Sequence, residues 1–124
     1  MLRLMLSGKI HRATVTSVDP DYEGSITIDA DLMDAAGIIP YEEVHVWDIT
    51  NGVRLITYAV EAEHGSGEIG INGAAAKVMK KGDKVIIVSF KMIDEGQARD
   101  NKPRIIFVDK KNAFKEIKGR RSRT

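Results

Sequence analysis

Tyr22-Glu23-Gly24-Ser25 is the stretch of this chain in which residue type and order suggest chemistry most directly. A serine hydroxyl can attack the carbonyl carbon of the residue before it and turn that amide into an ester. Glycine at the preceding position tolerates the distorted, crowded geometry this needs, because it has no Cβ. If the ester eliminates, Ser25 becomes dehydroalanine. Hydrolysis then leaves a pyruvoyl ketone at a new N-terminus and divides the chain into residues 1–24 and 25–124. Such a ketone can form a Schiff base with a substrate amine and accept the electrons freed when a carboxylate leaves as CO2. Pyridoxal phosphate does the same job by the same logic. Gly-Ser is also an ordinary turn dipeptide, and Gly65-Ser66 repeats it, so the pair alone decides nothing.

A decarboxylation site also needs cations for the substrate carboxylate and an acid to reprotonate the carbanion. Lys9 and Arg54 are candidates for the first role: lysine supplies a compact charge, arginine a planar fork that grips a carboxylate twice. Tyr58 is a candidate for the second. Thr57 and Tyr58 are adjacent, so on a regular strand they face opposite sides. Asn72-Gly73-Ala74-Ala75-Ala76 has only small side chains after an asparagine, and its backbone NH groups could line a tight pocket. His11 shares a strand face with Lys9. With His45 and His64 it makes three histidines, none at metal-ligand spacing, so no metal site is expected. A Ser-His-Asp hydrolase assembled from Ser25, His11 and Asp19 or Asp29 lacks any Gly-x-Ser-x-Gly support. Gly65-Ser66-Gly67 is too short for a phosphate loop and lacks its lysine.

The elements that must position these residues read as many short strands and few helices. Met1 to Leu6 and Lys9 to Thr16 are β-rich, and Asp19-Pro20-Asp21 is a turn signal. Ser25 to Asp29 alternates, so the scission point lies where a turn enters a strand. Asp31 to Gly37 reads as a short helix ended by glycine. Val44 to Ile49 and Arg54 to Val60 flank Asn51-Gly52, the signature of a tight hairpin turn. Glu68 to Asn72 is another strand, and Gly73 to Lys77 opens a helical turn. Lys84 to Phe90 is the most continuously apolar strand and so the expected central one. Ile93 to Arg99 offers a helical turn or two, and Arg104 to Val108 is the expected last strand. Short strands at close intervals predict a mostly β fold, a small closed barrel with a few short helices.

At 124 residues the chain fits one domain. The absence of cysteine excludes disulfides, thiolate nucleophiles and cysteine-based metal sites. No apolar run approaches the ~20 residues of a membrane span, and the N-terminus lacks a small-residue cleavage site. A cytoplasmic protein with no membrane partner is expected. The net charge of +1 hides an asymmetry, because seven of the 19 Lys and Arg and only one acid fall from Lys110 to Thr124. We therefore expect a barrel domain over 1–108 and a basic, flexible tail over 109–124. An alternative is a non-enzymatic barrel that binds nucleic acid through that tail. The acidic body and the few aromatic residues argue against it.

In order and spacing, several stretches resemble bacterial aspartate 1-decarboxylase. They are Met5-Leu6-Ser7-Gly8-Lys9-Ile10-His11-Arg12, Tyr22-Glu23-Gly24-Ser25, Asp34-Ala35-Ala36-Gly37-Ile38 and Trp47-Asp48-Ile49-Thr50-Asn51-Gly52. Arg54, Thr57-Tyr58-Ala59, Gly65-Ser66, Asn72-Gly73-Ala74-Ala75-Ala76 and Gly82-Asp83-Lys84-Val85-Ile86-Ile87 continue the series. The resemblance runs to about Val108 and stops there. It implies a double-psi β-barrel, a homotetramer with active sites between subunits, and a proenzyme cut between Gly24 and Ser25. It implies conversion of L-aspartate to β-alanine and CO2, supplying pantothenate and coenzyme A, with a pyruvoyl cofactor and neither metal nor pyridoxal phosphate. On this resemblance Ser25 is the cofactor precursor, Tyr58 the proton donor, and Lys9 and Arg54 hold carboxylate. Thr57 assists self-processing, and Asn72 with the backbone of Gly73, Ala74 and Ala75 lines the substrate pocket. His11, Tyr22, Trp47 and Ile86 lie at or near the site. Some relatives need an accessory protein for maturation, so a maturation factor is a further implied partner.

Overall fold

β-branched and aromatic residues dominate the apolar stretches, and nine of those stretches become strands. The computed structural model describes residues 1–117. The strands are β1 (Leu2–Thr14), β2 (Ser17–Asp19), β3 (Ser25–Asp29), β4 (Glu43–Asp48), β5 (Arg54–Ala62), β6 (Ile69–Asn72), β7 (Lys84–Asp94), β8 (Arg104–Val108) and β9 (Phe114–Ile117). Two short helices, α1 (Ala30–Ala36) and α2 (Glu95–Ala98), and a 3-10 turn over Gly73–Lys77 complete the chain. The expected mostly β fold with a few short helices is what forms.

The ladder runs β2-β6-β3-β5-β4-β7-β1-β8-β9. Three pairs are parallel, β1 with β8, β2 with β6 and β3 with β5, and the others are antiparallel. Parallel neighbours cannot be joined by a tight hairpin, so the chain crosses over itself. Crossed parallel pairs inside an antiparallel frame match the double-psi arrangement implied by the resemblance. The hydrogen-bonded ladder itself stays open between β2 and β9 among the described residues. β7 lies between β4 and β1, as its apolar run predicts. Ile10, Ile26, Ile28, Ile69, Ile71, Val46 and Ile87 meet in the core, with Leu32 and Met33 of α1 closing one side.

Two details differ from the sequence reading. The β4–β5 connection is a longer loop, because the last paired rung is Trp47 with Arg54. Only Gly52 takes positive φ (82°), and the Asp48 carboxylate organises the loop by accepting from the Asn51 NH at 3.1 Å. The second difference is the expected boundary at Val108, which is not an edge of the fold. The chain turns at Asp109–Asn112 and returns as β9 against β8. Asn112 locks that turn from a position 1% exposed. Its Nδ2 donates to the carbonyls of Thr14 (2.9 Å) and Gly67 (2.8 Å), and its Oδ1 accepts from the Thr14 NH at 2.7 Å. Three bonds to buried backbone are why this polar residue sits inside. The rest of the expected basic tail, residues 118–124, lies outside the described residues.

Candidate active site

Ser25 opens β3 just after exposed Gly24 and is itself only 2% exposed. It stands opposite Asn72 on the antiparallel rung between β3 and β6. The Asn72 amide donates from Nδ2 to Ser25 Oγ at 2.9 Å and to Thr27 Oγ1 at 2.9 Å. That fixes the serine oxygen without taking its proton, since an amide NH2 is a donor and not a base. Thr27 was absent from the sequence reading, although strand alternation sets it on the same face as Ser25.

Gly24 and Gly73 meet at this corner. A Cβ on Gly73 would lie 2.7 Å from Gly24 Cα, 2.9 Å from Gly24 N and 3.2 Å from the Tyr22 carbonyl. Gly73 also holds φ of +77°, so only glycine fits there without strain. A Cβ on Gly24 would meet nothing within 4 Å, and its φ is not positive. Glycine at 73 therefore lets the two backbones pass closely at this corner, where any side chain would crowd Gly24. Ala74 is exposed and Ala75 packs on the core. A groove of about 410 Å³ beside the corner is lined by Tyr22, Thr27 and Asn72, with Asp19 and Glu68 at its wall and no cation among its lining residues.

Thr57 and Tyr58 lie on β5, the parallel neighbour of β3. The first shared rung is Ile26 with Ala59, so Thr57-Tyr58 runs into it just as Gly24-Ser25 does. Thr57 is opposite buried Val44 and Tyr58 opposite exposed Glu43, so the two point to opposite faces as expected. The Tyr58 ring lies 6.3 Å from that of Tyr41.

Trp47, Arg54 and Ile86 form a second group on the β4–β5–β7 face, and Lys9 and His11 lie apart from it on β1. Arg54 stacks its guanidinium 4.7 Å from the Trp47 ring centre, and Trp47 shares a rung with Ile86 on β7. Stacking leaves the edge NH groups of arginine for a carboxylate. Lys9 sits half-buried on β1 between Val88 and Ile105. His11 packs edge-on to Phe107 at 5.4 Å. Among the described residues, no hydrogen bond or ion pair joins Lys9 or Arg54 to Ser25.

Beneath the Trp47–Arg54 hairpin end, Asp48 and Asp83 face each other with 2% and 8% exposure. Burial first, then the hydrogen bond that protonated Asp48 donates to its neighbour Asp83, raises the Asp48 pKa to about 6.

The solved structure of the rationally designed mkDPBB_sym_86 protein is similar at 19% identity and a TM-score of 0.45, over 66% of this chain and 90% of that one. A likeness of that size carries no conclusion. The family described as aspartate decarboxylase matches residues 1–115, nearly the whole chain. Ser25 with its asparagine partner, the glycine pair and the stacked arginine are thus parts of a chain that belongs to the aspartate decarboxylase family.

Proposed function

We propose that this chain cuts itself between Gly24 and Ser25 and then decarboxylates L-aspartate to β-alanine, a precursor of pantothenate and coenzyme A. The observation that carries this reading is the buried Ser25 Oγ held by Asn72, beside the close backbone approach of Gly73 to Gly24. Ser25 Oγ attacks the Gly24 carbonyl carbon; the C–N bond breaks, a C–O ester forms, and the hydroxyl proton moves to the nitrogen. Loss of the Ser25 Cα proton then expels the Gly24 carboxylate and leaves dehydroalanine, which water hydrolyses with release of ammonia. Thr57, at the level of Gly24 on the next strand, assists this rearrangement.

The resulting pyruvoyl group supplies an electron sink for loss of CO2. The corner fits it, since a ketone oxygen can keep the Asn72 donor that Ser25 Oγ has now. Lys9 and Arg54 hold carboxylate, Tyr58 delivers a proton to the substrate carbon, and the Gly73–Ala75 backbone lines the pocket. His11, Tyr22, Trp47 and Ile86 border that site. The groove beside the serine corner is walled by carboxylates, which would repel the two carboxylates of the substrate. Lys9 and Arg54 of a neighbouring subunit supply the missing charge in the homotetramer that the family resemblance implies. Ser25→Ala leaves an uncut chain without decarboxylase activity, as seen by intact mass and CO2 release. A cleaved, active Ser25→Ala variant overturns the proposal.

A further inference from the structure

A second cavity of about 910 Å³ lies away from Ser25, between the ends of β1 and β8 and the Asp109–Asn112 turn. Its volume is within the range of ~300–1,000 Å³ typical of small-molecule sites. Five cations line it: Arg12, Lys84, Lys110, Lys111 and Lys115. The one carboxylate among the lining residues is Asp109. That carboxylate is committed to its own turn, accepting from the NH groups of Lys111 (2.8 Å) and Ala113 (3.0 Å). The same two bonds, with Lys111 and Lys115 nearby, hold its pKa below the usual value. Among the described residues none of the five cations makes an ion pair.

Rigidity accompanies this charge. The turn that carries Lys110 and Lys111 is pinned by buried Asn112, and the Lys111 carbonyl passes so close to Gly67 that a Cβ there would lie 2.7 Å away. Arg12 sits in a bulge of β1 with φ of 64°, a left-handed conformation that is strained for a non-glycine residue. Phe107 adds an aromatic wall between the charges. A fixed backbone thus gathers exposed cations around one concavity, where like charges sum to a field that favours a compact polyanion.

We propose that this groove binds a small organic phosphate, its phosphates on the lysines and Arg12 and its apolar part against Phe107. Ser25 does not line this cavity; His11, named above at the border of the proposed decarboxylase site, is the one residue the two share. The test is calorimetric titration of the wild-type chain with ADP, adenosine and inorganic pyrophosphate. The same titrations are run on Lys110→Glu/Lys111→Glu, whose exposed side chains leave the turn's backbone bonds intact. ADP binds saturably, pyrophosphate displaces it and adenosine does not bind. The double variant melts as wild type and binds at least about tenfold more weakly, and affinity falls as salt rises from about 0.01 to 0.15 M. No saturable ADP binding, equal binding by the variant, or competitive displacement by aspartate overturns the proposal. So does a single-stranded oligonucleotide whose affinity grows with its length. Self-cleavage and CO2 release are read on the same samples. Their failure with ADP binding intact removes the decarboxylase reading and leaves this one standing.

Discussion

The serine corner and the Trp47–Arg54 face use opposite strategies. At the corner Ser25 and Asn72 are buried, paired on one rung and joined by the Asn72 amide, while Gly24 before them is exposed. The backbone of Gly73 passes so close to Gly24 that a Cβ there would clash. On the β4–β5–β7 face the side chains are exposed or half-buried, and Arg54 is oriented by stacking on the Trp47 ring. A self-cleaving bond needs a fixed geometry before any ligand arrives, whereas a charge that meets substrate must remain accessible. Changes at the corner should therefore alter chain cleavage, and changes on the face should alter substrate use.

The largest expected separation comes from the glycine pair. Gly73→Ala drives a Cβ into Gly24 and strains a positive φ, a penalty of roughly 1–3 kcal/mol that slows cleavage by up to about 100-fold. Gly24→Ala, with open space around its Cβ, changes folding stability by no more than about 1 kcal/mol. Gel-resolved cleavage rates and denaturant melts of both variants check the pair, and equal destabilisation would erase the contrast. Arg54→Ala removes a charge-assisted hydrogen bond and lowers kcat/KM for aspartate about 10- to 100-fold. Its cleavage rate stays within about twofold, and a large cleavage defect would merge the two regions. Asn72→Ala loses one neutral donor to Ser25 Oγ and slows cleavage by about three- to tenfold.

Asp48, at the base of the Trp47–Arg54 hairpin, gives the smallest effect. Its folded pKa of about 6 lies above the ordinary 3.8, so the folded state binds the proton more tightly than the unfolded chain. That stabilisation is complete below pH 3.8 and is lost as pH rises to about 6. Asp48→Asn keeps the acceptor for the Asn51 NH and carries its own donor toward Asp83. Its Tm should exceed that of wild type by about 3 °C or more at neutral pH, with the difference vanishing near pH 4. A constant Tm difference across that range would remove the buried proton from the account.

The candidate site residues were chosen from type, spacing and the family resemblance, and the strands that carry them were legible locally. Alternation in Ser25–Asp29, the apolar run of β7 and the Asn51-Gly52 hairpin are local signals, and the strands followed them. The missed features depend on partners distant in sequence. Nothing near Gly73 announces that it will abut Gly24, and Thr27 gains meaning only when Asn72 reaches it from β6. The turn at Asp109–Asn112 looked like the start of a solvated basic tail, because its charge is local while its anchors are Thr14 and Gly67. A buried asparagine amid lysines shows nothing in sequence of the backbone groups it satisfies.

The most direct test of the central claim is the intact mass of the purified protein under denaturing conditions. Self-cleavage at the serine corner predicts two pieces, residues 1–24 and 25–124, with the larger lighter by one ammonia than a serine-ended fragment. A single undivided chain of 13.7 kDa after prolonged warming would contradict it.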